Sequence, residues 1–189
     1  MRVLLVDDDS SRSTLLRQAL IDDDHAVVAV LATADDLLAA VTRHQPDVIL
    51  IDVDSPRRDL FESLTQISRE RPCPIVLFAA YSDAETARRA VQAGVSAYVV
   101  DGLAPARLKA VIDVAIARFE QHQALQRELA QTKLRLADRR DVERAKGVLM
   151  ERRRLSEAEA YAQLRKMAMD RKLSIGDAAR ALLAAAELL

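Results

Sequence analysis

The first hundred residues alternate between two hydrophobic periods. Short continuous apolar runs occur at 3–6, 27–31, 48–51, 75–78 and 97–100. Between them, apolar positions recur at helical spacing near 12–21, 34–43, 59–70 and 84–93. Runs that are apolar on both faces suit strands covered by helices on either side. The alternation therefore predicts an α/β fold, a doubly wound sheet of five parallel strands. Pro105 suits the first turn of a helix, and no glycine or proline follows until Gly147. One long helix is expected there, beginning with Leu108, Val111, Ile112 and Ala115 against the sheet. Farther on, Leu125, Leu129, Thr132 and Leu136 repeat at 4-3-4 spacing among Glu, Gln, Arg and Lys. That seam predicts a dimeric coiled coil, with a solvated linker helix as the alternative. The remainder is all-α and reads as a bundle of three short helices. The first carries Val142, Ala145 and Leu149 on one stripe. The second runs from Ser156 to about Asp170, with Ala160, Leu164 and Met167 inward. The third shows Ile175, Ala178, Ala179, Leu182, Leu183 and Ala186, the clearest amphipathic pattern in the chain.

These patterns divide the chain into a sheet domain over 1–118, a linker helix over 119–137 and a helical module over 138–189. Charge follows the same division. Residues 1–118 hold 13 Lys/Arg against 18 Asp/Glu (−5), 119–137 hold 3 against 2 (+1), and 138–189 hold 12 against 9 (+3). An excess of +3 is too modest to establish nucleic-acid binding unaided. No apolar run approaches the roughly 18 residues of a membrane span, and no signal-peptide pattern begins the chain. A cytoplasmic protein without a membrane partner is expected. Cys73 is the sole cysteine, which excludes an internal disulfide and a cysteine-based zinc site. His25, His44 and His122 fall on different predicted elements, and there is no glycine-rich phosphate loop. With no catalytic constellation, the chain is not expected to be an enzyme.

Carboxylates cluster where open α/β sheets bind ligands, at the C-terminal ends of strands. Asp7 and Asp8 follow the first run and Asp52 the third, with Asp9 and Asp54 beside them. In the segment DVDSP, Pro56 stands four residues beyond Asp52, and Tyr98 lies on the last predicted strand. These landmarks resemble the receiver domain of two-component response regulators, over about 1–118. The resemblance implies that Asp52 is the phosphoacceptor position and that Asp7, Asp8 and Asp52 hold magnesium. It also implies that Tyr98 is the aromatic switch residue. Carboxylate oxygens are suitable hard ligands for magnesium. Two positions depart from the family. Its Ser or Thr at the end of the fourth strand is Ala79 here, and Ser82 is displaced by three residues. Its lysine in YVxKP gives way to Asp101 in YVVDG, followed by Gly102. A carboxylate in place of a lysine turns attraction for phosphate into repulsion. Each unit pair at contact is worth about 4 kcal/mol at an effective dielectric of about 20. The pattern therefore favours a pseudo-receiver over an operating phosphoacceptor. Its acidic pocket would take up protons or a cation, with no cofactor required and magnesium an optional occupant.

The segment 143–168 carries the output chemistry. Ser156 and Glu159 stand in the S-x-x-E capping-box relation at a helix start, and Ser174 with Asp177 suggests a further cap. Arg140, Arg144, Lys146, Arg152, Arg153, Arg165, Lys166 and Lys172 supply candidate phosphate contacts, together with Arg154 and Arg171. Glu143, Glu151, Glu157 and Glu159 are interspersed, so an ordinary salt-bridged surface is the alternative. The core AKGxLM (Ala145, Lys146, Gly147, Leu149, Met150) and the helices around it resemble the ANTAR domain, over about 138–189. That resemblance implies an RNA-binding antiterminator whose targets are leader RNA stem-loops. Tyr161, the only aromatic of the tail, lies between Ala160 and Ala162 and is expected in the core rather than stacked on a base. Gly147 inside a helix costs about 1 kcal/mol relative to alanine, which suggests close approach of a helix or of RNA.

The order of receiver-like domain, long helix and ANTAR module resembles bacterial antitermination regulators over essentially the whole length. The segments DVDSP, AGVSAYVVDGL and DVAIARF are most similar to regulators of nitrate and nitrite assimilation; amidase-operon antiterminators are more distant. The resemblance implies a homodimer freed from a nitrate-sensing regulatory protein to bind a hairpin that would otherwise end transcription. The rival readings are a phosphorylation-controlled or DNA-binding response regulator, and a scaffold that binds only protein. The mostly Ala and Leu last helix offers few base-reading side chains for the DNA reading.

Overall fold

The computed structural model describes residues 1–33, 35–100 and 105–187. The five apolar runs form β1 (Arg2–Asp7), β2 (Ala26–Leu31), β3 (Val48–Val53), β4 (Ile75–Ala79) and β5 (Ala97–Val100). They make one parallel sheet in the order β2-β1-β3-β4-β5. Between them run α1 (Ser10–Asp22), α2 (Leu37–His44), α3 (Arg58–Glu70) and α4 (Ala84–Gln92). The second helix starts at Leu37 rather than at position 34, because the Asp36 side chain caps it by accepting from the Ala39 N–H at 3.0 Å. Ala34 lies outside the described residues.

Strand alternation sorts the core into two layers. On one face Val3, Leu5, Val48, Leu50, Val76 and Phe78 pack with Leu16 and Leu20 of α1 and with Leu108, Ile112 and Ala115. On the other, Leu4, Val6, Ile49, Ile51 and Leu77 pack under α2, α3 and α4. Burying each such Leu or Ile contributes about 1.5–3 kcal/mol. The expected doubly wound α/β domain is thus observed. Its connection reverses direction between β1 and β3, and that switch point places the acidic pocket.

The chain divides into two compact units, Met1–Gln123 and Ala124–Leu189. A single helix, α5 (Pro105–Arg153, 49 residues), contributes to both. The first of the three expected short helices is therefore the end of α5, which passes through Gly147 without a break. It stops where Arg154 turns left-handed at φ 54°. Then follow α6 (Glu157–Asp170) and α7 (Ile175–Glu187). Ala145 and Leu149 of α5, Ala160, Leu164 and Ala168 of α6, and Ala178 and Ala179 of α7 form the core of the second unit. Small side chains let these helices approach closely. A Cβ on Gly176 would lie 2.5 Å from Asp138 Cγ, so any larger residue between α7 and α5 would have to displace that side chain. Among the described residues no helix is long and apolar enough to cross a membrane.

Candidate functional site

Parallel pairing at the switch point sets Asp7 of β1 opposite Asp52 of β3. Both are buried, at 5% and 3% exposure. Asp7 Oδ1 accepts from the Asp9 N–H at 2.8 Å, while Asp7 Oδ2 is buried without a hydrogen-bond partner. Asp9 caps α1, accepting from the N–H groups of Ser11 and Arg12 at 2.8 and 3.3 Å. Asp8 turns towards the loop after β2, where it accepts from the Thr33 hydroxyl and, at 2.8 Å, from the Thr33 N–H. Those bonds, the hydroxyl first, hold its carboxyl below the usual range.

The pocket also holds a cation that the sequence reading missed. The Arg12 guanidinium lies 3.6 Å from Asp7, 3.7 Å from Asp9, 3.7 Å from Asp52 and 3.4 Å from Asp54. A usable signal was present: Arg12 follows the N-cap Asp9 by three residues, and helical side chains lean back towards the N-terminus. Burial raises the Asp52 carboxyl above its ordinary value. Arg12 opposes the rise, and Asp7, Asp54 and Asp9 add to it.

The expected magnesium trio is not brought together as a ready ligand set. Among the described residues, no three His, Cys, Asp or Glu side chains are arranged to hold a metal. Thr33 engages both oxygens of Asp8, and Arg12 supplies positive charge beside Asp7 and Asp52. At the end of β4, Ala79 pairs with Val53 and Val100 and offers only a methyl group. Asp101 and Gly102 lie outside the described residues. Tyr98 packs partly buried on the layer under α2, α3 and α4, and its hydroxyl has no partner. Burial pushes the Cys73 thiol up to about 11, so it is no nucleophile at neutral pH.

In the second unit the capping box at Ser156 and Glu159 is formed at the start of α6. Lys146 departs from its expected place in a phosphate-binding face. It is buried, with its ammonium 2.6 Å from Glu157 and 2.9 Å from Glu143. Glu157 first, then Glu143, raise its pKa, so it bridges α5 to α6 as a cation. Arg140, Arg144, Arg152, Arg153, Arg165, Lys166 and Lys172 are exposed. None of these seven forms an ion pair within the described residues. The expectation for Tyr161 is corrected. It is 46% exposed, because the inward face of α6 is Ala160, Leu164 and Ala168 and the next residue points about 100° away. Leu125, Leu129 and Leu136 on α5 are 57%, 48% and 54% exposed.

A five-stranded sheet in this order, with paired carboxylates at its switch point and a helical module behind a long helix, defines a response-regulator architecture. The response regulator receiver domain family matches residues 3–113, and the ANTAR domain family matches residues 130–183. The chain belongs to the response regulators that carry an ANTAR domain. It is 31% identical over 174 residues to the transcriptional regulatory protein PdtaR of Mycobacterium tuberculosis, covering 92% of this chain and 85% of that one. Among solved structures, a two-component response regulator of the LuxR family from Aurantimonas sp. SI85-9A1 is 27% identical, with a TM-score of 0.53, covering 67% of this chain and 96% of that chain. A CheY-like receiver domain from Methanospirillum hungatei JF-1, 24% identical with a TM-score of 0.56, shares the fold over 64% of this chain and 97% of that one.

Proposed function

We propose that this response regulator is a transcription antiterminator that binds hairpins in leader RNA through its C-terminal bundle. One observation carries the reading. Glu143 and Glu157 are held by Lys146, and Glu159 by Ser156, while Arg140, Arg144, Arg152, Arg153 and Arg165 beside them form no ion pair among the described residues. An ordinary salt-bridged surface would have matched those charges to each other. Arg140, Arg144, Arg152, Arg153, Arg165, Lys166 and Lys172 are the phosphate contacts in this reading, with Tyr161 available to stack on an unpaired base. Lys146 acts by holding α5 to α6. Filter binding with an RNA of two linked hairpins tests the proposal. Binding should be tighter than to unrelated RNA or duplex DNA at physiological salt and should weaken in the Arg144→Glu variant. Equal affinity for all three polymers would sink it.

Control is assigned to a partner more than to phosphorylation. The pocket lacks the Ser or Thr hydroxyl at Ala79, and Arg12 balances part of its charge internally, so magnesium is an optional occupant. Asp52 remains the phosphoacceptor position and Tyr98 the switch position. The narrower version makes the partner a nitrate-sensing regulatory protein and the targets nitrate and nitrite assimilation genes. It rests on the segment resemblances alone, and nitrate-dependent dissociation of such a pair tests it. The exposed Leu125, Leu129 and Leu136 support homodimerisation through the stretch 119–137.

A further inference from the structure

We infer that the cleft between α5 and α7 seats the sugar–phosphate backbone of the RNA, with Gly147 the point of closest approach. This rests on the RNA-binding reading and adds to it a place and a contact. A glycine inside a helix is disfavoured unless the space a side chain would fill has another use. Two other described glycines have internal reasons. Gly94 has φ 88°, and a Cβ on it would press on Ser68; a Cβ on Gly176 would collide with Asp138. Gly147 has neither reason. Its φ is not positive, and apart from its chain neighbours and the backbone of its own helix turns nothing lies within 4 Å of where its Cβ would stand.

That unfilled space belongs to a cleft of about 320 Å³. Val148, Leu183 and Ala186 give it apolar lining, and Arg144 and Arg152 set two guanidiniums against the single carboxylate of Glu151. Arg152 donates to the Ala186 carbonyl at 2.8 Å, which fixes its head across the cleft. A guanidinium has five N–H donors, so most remain for a ligand. Arg144 has no ion-pair partner within the described residues. The chemistry selects the occupant: a bare helix backbone admits close approach of another backbone, the apolar lining suits ribose carbons, and the arginines suit a phosphodiester. Contacts of this kind set register rather than read sequence.

The test uses the full-length protein and whichever two-hairpin RNA binds it in the filter assay. Gly147→Ala should melt at the same temperature or higher, since alanine is the better helix former, yet bind that RNA about tenfold more weakly or worse, as one added methyl does in a fitted site. Undiminished affinity in Gly147→Ala, with Arg144→Glu still impaired, would overturn this inference and leave the RNA reading standing. A lowered melting temperature would also overturn it, by showing an internal packing role for Gly147. Absence of RNA binding by the unaltered protein would remove both readings. A second measurement is independent of any variant: 4-thiouridine in the RNA should crosslink within residues 144–152. Crosslinks confined to α6, or competition by polyglutamate as strong as by RNA, would count against the cleft.

Discussion

Asp52 is buried beside three other carboxylates and one arginine, and burial holds its carboxyl above the ordinary range. Between the unfolded value of about 3.9 and that raised value, the folded protein binds more protons than the unfolded chain. Stability contributed by this group is therefore full below the unfolded value and is lost as pH rises through the folded one. Asp52→Asn removes the charge at nearly constant volume, so it should raise the melting temperature at pH 7. The gain should shrink on acidification and vanish below about pH 4. Melting curves from pH 4 to 8 check this, and a pH-independent gain would contradict it. Arg12 carries the complementary prediction. Without its guanidinium the pocket keeps four carboxylates and loses their nearest counter-charge. Arg12→Ala should melt lower, and magnesium should then recover stability, by about 2.7 kcal/mol at a hundredfold excess over its dissociation constant. The unaltered protein should respond little to millimolar magnesium; equal magnesium shifts in both proteins would show that Arg12 does not act as the pocket's cation.

Elements were legible wherever one hydrophobic period dominated. The strands are apolar on both faces, and alternate residues such as Leu4 and Leu5 enter opposite layers, so each run announced a covered strand. Asp7, Asp52 and Tyr98 could be placed for the same reason: each sits on or at the end of such a run. What stayed hidden depends on direction rather than period. Arg12 reaches the pocket through the backward lean of a helical side chain, and Lys146 is captured by Glu157 from another helix, eleven residues on. Tyr161 lies one residue past the core position Ala160, and a period of 3.6 sends it to solvent. The first tail helix was expected as a separate short element, whereas α5 continues through it and the turn is made by Arg154. Gly176 shows how different the reasons for a helical glycine can be. A methyl there would displace Asp138, which binds Arg180 at 2.6 Å and so ties α5 to α7. Asp138 first, then Asp177, raise the Arg180 pKa, so the guanidinium stays charged. Gly176→Ala should cost about 1–2 kcal/mol through overpacking, despite alanine's better helix propensity. Urea unfolding of the full chain, followed by helical signal, checks it; a stabilised variant would mean that Asp138 rotates away freely.

At the scale of the whole molecule, the proposed dimer would couple the seam on α5 to the proposed RNA surface. Leu125, Leu129 and Leu136 are about half exposed, with Thr132 completing the 4-3-4 spacing. Lone exposed leucines need no explanation, but leucines in register along one helix face do. Four seam positions amount to fewer than three heptads, so the association should be weak and concentration-dependent. That weakness suits a switch. Two bundles joined in a dimer would meet two linked hairpins with a high effective concentration for the second contact, raising avidity by about 10²–10⁴ over a single hairpin. A lysine at Leu125 and another at Leu129 place like charges across the seam while leaving the bundle's core, centred on Ala145, Leu149 and Leu164, untouched. The double variant Leu125→Lys, Leu129→Lys should sediment as a monomer at concentrations where the unaltered protein dimerises. It should bind a single hairpin with unchanged affinity and lose most of the advantage for two linked hairpins. If the variant stays dimeric, the seam lies elsewhere. If it is monomeric yet keeps the two-hairpin advantage, one bundle reads both hairpins and dimerisation serves another purpose.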